Sequence, residues 1–116
     1  MEGSCKCNNV RYIVSYIPKE IANCYCTICQ TLHQQPFVRF AKYNINEVQI
    51  TEKQNLMLVK SSERAQRAFC KNCNTLLFMY YNNSSFVWMV VETFNFDTRS
   101  IEHYNIYTDT AIVDII

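Results

Sequence analysis

Three cysteines within six residues constrain this chain more than any other feature of its sequence. They are Cys24, Cys26 and Cys29, in the run Cys-Tyr-Cys-Thr-Ile-Cys. Thiols this close in sequence do not reach disulfide geometry with one another without strain. Separations of two and three residues are instead typical of loops that wrap sulfur ligands around a tetrahedral ion, and zinc is the first candidate. We therefore expect the fold to be arranged around a metal site at this run.

Four further cysteines form two short pairs at distant points of the chain. The pairs are Cys5 with Cys7 and Cys70 with Cys73. A structural zinc takes four thiolates, each about 2.3 Å from the metal, and commonly draws them as two short-spaced pairs. The pairs therefore predict a closed structural zinc site. The central three cysteines are then one ligand short, and an open coordination position is typical of catalytic zinc.

The spacing also permits a second partition of the seven cysteines. In it, the first two cysteines of the central run join Cys70 and Cys73, and Cys5, Cys7 and Cys29 are left without a shared metal. We favour the first partition because it uses two complete short pairs.

Length, charge and cysteine number exclude several classes of protein. The chain has 116 residues, a net charge of +1, and 11 basic against 10 acidic side chains. It is long enough for a single domain over residues 1–116 that buries about two thirds of its unfolded surface. The balanced charge argues against nucleic-acid and membrane-surface partners, and no apolar run approaches the roughly 18 residues of a membrane span. An odd number of cysteines without an apolar leader predicts a reducing compartment, the cytoplasm.

The hydrophobic pattern predicts a mainly β fold of about eight short strands. Segments rich in β-branched and aromatic residues recur at regular spacing, and asparagine supplies most turns because the chain has one glycine and two prolines. The candidate strand segments are 10–17, 21–24, 37–43, 47–52, 56–60, 76–81, 86–92 and 103–108, with a further edge segment at 112–116, and residues 65–69 lead into the second cysteine pair. A short helix or helical turn is expected at 27–35, ended by Pro36.

The clearest hairpin joins segments 76–81 and 86–92 through the polar run 82–85. The second of these segments is apolar on both faces, which predicts a central strand. We expect Phe86 and Trp88 on this strand to lie in the core, because large aromatic side chains favour half-buried strands.

Three motifs in a fixed order cover most of the chain. Gly3 and the first cysteine pair precede Val-Arg-Tyr at 10–12, and Pro36 and Phe37 follow Cys29 by seven and eight residues. Residues 67–78 then read Arg-x-Phe-Cys-x-x-Cys-x-Thr-x-Leu-Phe. In these motifs the chain resembles the glutathione-dependent formaldehyde-activating enzymes, a family to which centromere protein V is also related.

The resemblance implies a single compact domain of short, coiled β-sheets and hairpins that holds two zinc ions. One is a structural zinc on the two cysteine pairs. The other lies on Cys24, Cys26 and Cys29, which would then be the catalytic residues that handle glutathione. The implied activity joins formaldehyde to glutathione, or to a similar small thiol, as S-hydroxymethylglutathione, which is a carbon–sulfur lyase reaction read in reverse.

The chemistry of the central cysteines is consistent with that activity. Three thiolates on Zn²⁺ carry a formal charge of −1, which makes a weaker Lewis acid than zinc on three histidines. Such a site suits a soft sulfur ligand, and a thiol bound there would be held as a thiolate able to attack an aldehyde carbon. We expect one cation, Arg39, Arg64 or Arg67, to offset the added negative charge.

The chain departs from the family pattern at several positions. Asn8, Gln34 and Asn74 stand where the family usually has glycine, and Gln30 stands where it has arginine. The C-terminal His-Ile-Trp of the family is Asn-Ile-Tyr at 105–107, which questions a contribution of that end to substrate binding.

His33 supports an alternative function. It lies four residues after Cys29, where the family generally has a small residue. The run Cys-x-Cys-x-x-Cys-x-x-x-His is typical of a complete structural zinc site. In this alternative the protein is a non-catalytic zinc-binding β module for protein interaction, with His33 closing the central zinc.

Overall fold

Ten strands and one short α-helix make up most of residues 1–112, the part of the chain that the computed structural model describes. In chain order the strands are β1 Glu2–Ser4, β2 Val10–Val14, β3 Glu20–Cys24, β4 Val38–Asn44, β5 Val48–Lys53, β6 Leu56–Lys60, β7 Ala65–Cys70, β8 Leu76–Tyr81, β9 Phe86–Val90 and β10 Glu102–Ile106. The helix α1 spans Thr27–His33. The predicted mainly β fold is therefore confirmed.

The strands form two sheets. A three-stranded antiparallel sheet has the order β1-β2-β5, and a seven-stranded sheet has the order β10-β3-β4-β9-β8-β7-β6. Only β10 runs parallel to its neighbour, β3, among the strands described. The predicted central strand, β9, is the middle strand of the larger sheet.

The larger of two core clusters joins buried side chains of both sheets, and the smaller one surrounds Cys24 and Cys29 on the seven-stranded sheet. Val10, Tyr12 and Val14 are buried on one face of β2 while the residues between them face solvent. This alternation is what a half-buried strand requires. Gly3 of β1 lies so close to this core that a Cβ added to it would be 2.5 Å from Tyr12 Cε1 and 2.7 Å from Phe94 Cε1. The single glycine of the chain is therefore explained by a close approach to two aromatic rings.

Several predicted boundaries differ from those of the structure. Strand β1 was not predicted, and β2 ends at Val14 because the chain turns away, with Tyr16 O accepting a hydrogen bond of 2.9 Å from the Tyr43 hydroxyl. Trp88 is half-buried rather than in the core, and Phe86 is 39% exposed. Residues 113–116, most of the expected C-terminal edge segment, lie outside the described residues.

Asparagine supplies most of the left-handed turns, as expected. Asn8, Asn55, Asn74 and Asn83 all have positive φ angles, between 62° and 67°. Gln34, directly after α1, has φ 53° and ψ 42°. The three positions where glycine was expected from the family pattern are therefore all positions with positive φ. None of the helices among residues 1–112 has the length and apolar character that a membrane crossing needs.

Candidate active site

The loop before β2 and the end of β7 with the turn after it bring four cysteines together. The Sγ atoms of Cys5, Cys7, Cys70 and Cys73, here called the outer sulfur group, all lie within 4.8 Å of one another. Cys7 Sγ is 3.6 Å from both Cys5 Sγ and Cys70 Sγ. Two sulfurs bound to one tetrahedral zinc at 2.3 Å are separated by about 3.8 Å, so this group fits zinc.

A tight turn with a left-handed asparagine positions each cysteine pair of the outer sulfur group. Asn8, in the left-handed conformation, donates its backbone N–H to Cys5 O at 3.2 Å, and Val10 N donates to Cys5 Sγ at 3.3 Å. Asn74, with the same conformation, donates its N–H to Cys70 O at 2.7 Å. Burial opposes ionisation of Cys73, but hydrogen bonds from Thr75 and neighbouring backbone lower the pKa of Cys73 to about 5.

Cys24, Cys26 and Cys29 form a separate cluster, here called the central sulfur group, whose Sγ atoms also lie within 4.8 Å of one another. Cys24 ends β3, Cys26 is the N-cap residue of α1, and Cys29 lies in the first turn of that helix. Cys24 Sγ is 3.4 Å from Cys26 Sγ and 3.2 Å from Cys29 Sγ. The structure therefore brings the cysteines together as four and three, and it does not bring together the members of the alternative partition.

Hydrogen bonding within the central sulfur group concentrates negative charge on one sulfur. Cys29 Sγ donates to Cys24 Sγ, and Cys24 Sγ donates to Cys26 Sγ. The side-chain interactions with Cys24 and Cys29 lower the pKa of Cys26 to about 2, while the hydrogen bond to Cys26 raises the pKa of Cys24. The backbone N–H of Cys29 also donates to Cys26 Sγ, at 3.3 Å. The group is thus arranged to carry at least one thiolate, which is the form that binds metal.

Arg67 is the cation next to the central sulfur group. The residue is 4% exposed, and Nη2 donates to Cys29 Sγ at 3.3 Å. Of the other two candidates, Arg39 pairs with Glu92 at 2.7 Å and Arg64 is exposed. The geometry therefore selects Arg67 among the three arginines that the sequence offered.

His33 lies outside the central sulfur group. Its Nε2 atom is 3.4 Å from Arg67 Nη1, and its ring packs edge-on against Phe40 at a centroid distance of 6.2 Å. Burial, together with the charge of Arg67, lowers the pKa of His33 to about 4. His33 is thus not among the residues whose ligand atoms lie within 4.8 Å of one another here, and the alternative in which it closes the central site gains no support from this arrangement.

A cavity of about 650 Å³ opens over the central sulfur group. Cys24, Cys26 and Arg67 lie along its lining, whereas Cys29 is fully buried behind them. The walls come from several strands and are mainly apolar or aromatic, and they include Ile28, Phe40, Met79, Tyr81, Trp88, Ile106 and Tyr107, with Ser61 and Ser62. Sequence reasoning did not assign these wall residues to the site, because strand pairing far along the chain brings them together.

One protein family matches the part of the chain that contains both sulfur groups. A family model described as "Glutathione-dependent formaldehyde-activating enzyme" matches residues 1–110. The chain belongs to this family. A Schizosaccharomyces pombe protein designated an uncharacterized lyase is 27% identical over 105 residues, which cover 84% of this chain and 75% of that protein. The crystal structure of a Rhodobacter sphaeroides protein has a TM-score of 0.72 at 17% identity and covers 90% of this chain and 100% of its own, a likeness that shows the fold.

The positions that depart from the formaldehyde-activating family pattern have defined contacts here. Gln30 Nε2, in place of the family's arginine, donates to Tyr25 O and Thr110 O, both at 2.7 Å. Thr110 Oγ1 also donates to Tyr25 O, at 2.8 Å. These bonds hold the segment after β10 against the central run, so that Ile106 and Tyr107 reach the cavity. The C-terminal end therefore contributes to the cavity despite its departure from the family motif.

Proposed function

We propose that this protein is a carbon–sulfur lyase that forms and cleaves the adduct of a small thiol, glutathione in the first instance, with formaldehyde. Membership of the formaldehyde-activating family supports the reaction, and the lyase designation of the yeast relative supports the class. The observation that carries the proposal is the central sulfur group itself. It lies at a cavity, and no other His, Cys, Asp or Glu in residues 1–112 joins its three sulfurs.

The donor sets of both sulfur groups fit zinc. Four sulfurs complete a structural site, and the outer sulfur group would hold that ion. Three soft thiolates within 4.8 Å of one another leave the metal one protein ligand short in the central sulfur group. Zinc bound there would lower the pKa of a thiol that binds beside the three cysteines, so that the thiol is held as a thiolate.

Arg67 would balance the charge of the central site during the reaction. Three cysteine thiolates and one divalent cation sum to −1, and a substrate thiolate makes the sum −2. The guanidinium at 3.3 Å from Cys29 Sγ returns the total to −1. Because Arg67 is buried, this charge acts where solvent screening is weak.

Hydroxyl groups in the cavity supply proton donors for the aldehyde oxygen. In the addition direction a sulfur–carbon bond forms, the carbonyl π pair moves to oxygen, and the thiol's proton finally resides on that oxygen. Among the hydroxyl groups that line the cavity, which also include those of Tyr107, Ser61 and Ser62, the Tyr81 hydroxyl would fill this role. Burial, together with a side-chain hydrogen bond to Tyr107, raises the pKa of Tyr81 to about 12, so Tyr81 remains a neutral hydrogen-bond donor near pH 7.

The test is carbon-13 exchange spectroscopy of labelled formaldehyde with glutathione, using reduced protein reconstituted to two zinc ions per chain. Exchange between free aldehyde and S-hydroxymethylglutathione is expected to be faster than without protein. Cys26→Ser should abolish the acceleration, and Thr31→Ala, an exposed change on the same helix, should retain it. An exchange rate equal to the uncatalysed rate, with both zinc ions bound, would overturn the proposal.

The proposed function requires a reducing compartment, and we propose the cytoplasm. All seven cysteines are free thiols in the structure. Both sulfur groups need thiolates rather than disulfides to hold metal. The balanced charge of the chain, +1 overall, offers no basis for a nucleic-acid or membrane partner in this function.

A further inference from the structure

We propose that the aldehyde partner extends beyond formaldehyde to aldehydes with an aliphatic or aromatic substituent, and that this substituent lies in the cavity over the central sulfur group. The inference rests on the proposed function, because it names the substrate class of the same site. Its first support is size. The cavity has a volume of about 650 Å³, whereas formaldehyde contributes a single carbon.

The second support is the chemistry of the cavity wall. Phe40, Met79 and Trp88 come from three adjacent strands of the seven-stranded sheet, and Ile28 and Ile106 complete the apolar surface. Cavities of this volume with apolar and aromatic walls are typical sites for apolar ligand groups. A one-carbon aldehyde would leave most of this surface in contact with water alone.

The third support is charge. Arg67 is the basic side chain among the residues that line the cavity, and its two terminal nitrogens already contact Cys29 Sγ and His33 Nε2, while its Nε atom is buried without a hydrogen-bond partner. A carboxylate placed among the apolar side chains would be desolvated without a partner, which is strongly unfavourable.

The same argument places the thiol substrate. Glutathione has two carboxylates, so its charged ends belong outside the apolar wall, at the partly exposed side chains of Ser61, Ser62 and Tyr107, the last of which is 54% exposed. The apolar volume is then available for the substituent of the aldehyde.

The extended reaction balances without a further reagent. A thiol RSH adds to an aldehyde R′CHO and gives RS–CH(OH)–R′. The sulfur–carbon bond forms, the carbonyl π pair becomes an oxygen lone pair, and the thiol's proton is transferred to that oxygen. No oxidant or reductant is consumed, and cleavage is the same step in reverse.

The binding test uses Trp88, because it is the single tryptophan of the chain and lies on the cavity wall. Its fluorescence is titrated with straight-chain primary alcohols from methanol to hexanol, which resemble the aldehydes but do not react with thiols. We expect saturable changes in emission and a Kd that falls up to about fourfold for each added methylene. An emission change that does not saturate, or a Kd independent of chain length, would overturn the inference.

Two methionines provide a matched pair of variants. Met79 lines the cavity and is 6% exposed, whereas Met57 lies on β6, is 42% exposed and is outside the cavity lining. Met79→Gln should weaken hexanol binding about tenfold, and Met57→Gln should leave it unchanged. If Met79→Gln does not fold, Ile106→Thr on edge strand β10 makes the same test. Equal hexanol affinities in wild type and a folded cavity variant would overturn the inference.

The reaction test compares formaldehyde with hexanal, each with glutathione, by the exchange measurement described above. We expect acceleration for both, and a larger loss for hexanal than for formaldehyde in Met79→Gln. Acceleration with formaldehyde but not hexanal would overturn the inference and leave the proposed function in place. Acceleration with neither aldehyde would overturn the proposed function, and the inference with it.

Discussion

Arg67 is the residue whose replacement most directly tests how the central sulfur group holds metal. Its guanidinium is buried and donates to Cys29 Sγ at 3.3 Å. Arg67→Met keeps much of the side-chain volume but removes the charge and the donor. We expect the zinc affinity of the central site to fall about tenfold to a hundredfold, as is common when a partner of a metal ligand is removed. Competition with a chromophoric chelator measures this, and the outer sulfur group is an internal reference.

Arg39→Met is the matched control for Arg67→Met. Arg39 is paired with Glu92 at the surface and does not contact the sulfurs. Its replacement should leave both zinc affinities unchanged. If the two variants lost central zinc equally, Arg67 would have no specific part in stabilising that site.

His33 should keep its place beside Arg67 rather than at the metal. We therefore predict that His33→Gln binds as many zinc ions per chain as wild type, two being expected, because Nε2 contacts Arg67 Nη1 at 3.4 Å and lies outside the sulfur group. Zinc analysis of the purified variant measures this. Loss of the central zinc in His33→Gln would restore the closed-site, non-catalytic alternative.

The same histidine predicts a dependence of stability on pH. Burial and Arg67 lower the pKa of His33 to about 4, from an ordinary value of 6.5. As pH falls from 6.5 to 4, the unfolded chain takes up this proton while the folded chain does not, so the folded state loses stability across that window. Above pH 6.5 both states are neutral and the contribution is constant.

His33→Gln removes that contribution. Urea unfolding at pH 7.5 and pH 5 should therefore show a larger fall in unfolding free energy for wild type than for His33→Gln. His103→Gln, which removes an exposed imidazole, is the control. An equal fall in wild type and His33→Gln would contradict the buried, neutral state of His33.

At the scale of single residues, the cysteines were predictable and their surroundings were not. Short spacings predict which cysteines lie together locally, and the sequence favoured but did not require the grouping of Cys5 and Cys7 with Cys70 and Cys73 that the fold brings about. The choice of Arg67 among three arginines depends instead on β7 pairing with β8, which places Arg67 opposite Met79. Trp88 was expected in the core for its aromatic character, and the sequence carries no signal that it borders a cavity.

At the scale of secondary structure, the hydrophobic pattern predicts most strands. It does not predict the existence of β1 or the neighbour with which β10 pairs. Strand β1 has three residues, too few for a periodic signal. Strand β10 pairs in parallel with β3, far away in sequence, and this register places Ile106 opposite Cys24. The cavity depends on that pairing, and no local pattern specifies a parallel neighbour. Turns were more predictable, since Asn8, Asn74 and Asn83 all have positive φ.

The end of α1 offers a stabilising substitution. Gln34 has φ 53° and ψ 42°, a left-handed conformation that disfavours a side chain with a Cβ. Gln34→Gly should raise the unfolding free energy by about 0.5–1 kcal/mol. This figure is net of the destabilisation that arises because glycine increases the conformational entropy of the unfolded chain. Thermal unfolding measures this. Gln35→Gly, at the next exposed position, should give no gain, and an equal gain there would contradict the argument from φ.

At the scale of the whole molecule, the two sulfur groups have different mechanical roles. The outer sulfur group joins the loop that enters β2 of the three-stranded sheet to the loop between β7 and β8 of the seven-stranded sheet. The central sulfur group joins only the end of β3 to the helix that follows it. A metal in the first group therefore ties the two layers of the core together, whereas a metal in the second constrains one local turn.

This difference predicts opposite outcomes for two Cys→Ser changes. Structural zinc commonly contributes about 10–16 kcal/mol, comparable to or above the roughly 5–15 kcal/mol total stability of a domain. Cys70→Ser, which breaks the link between the sheets, should therefore leave the chain unfolded or with a transition more than 10 °C lower. Cys26→Ser should bind one zinc, melt within a few degrees of wild type and lack lyase activity. Zinc content and far-ultraviolet circular dichroism measure both variants, and a Cys70→Ser protein as stable as Cys26→Ser would show that the outer sulfur group does not hold the sheets together.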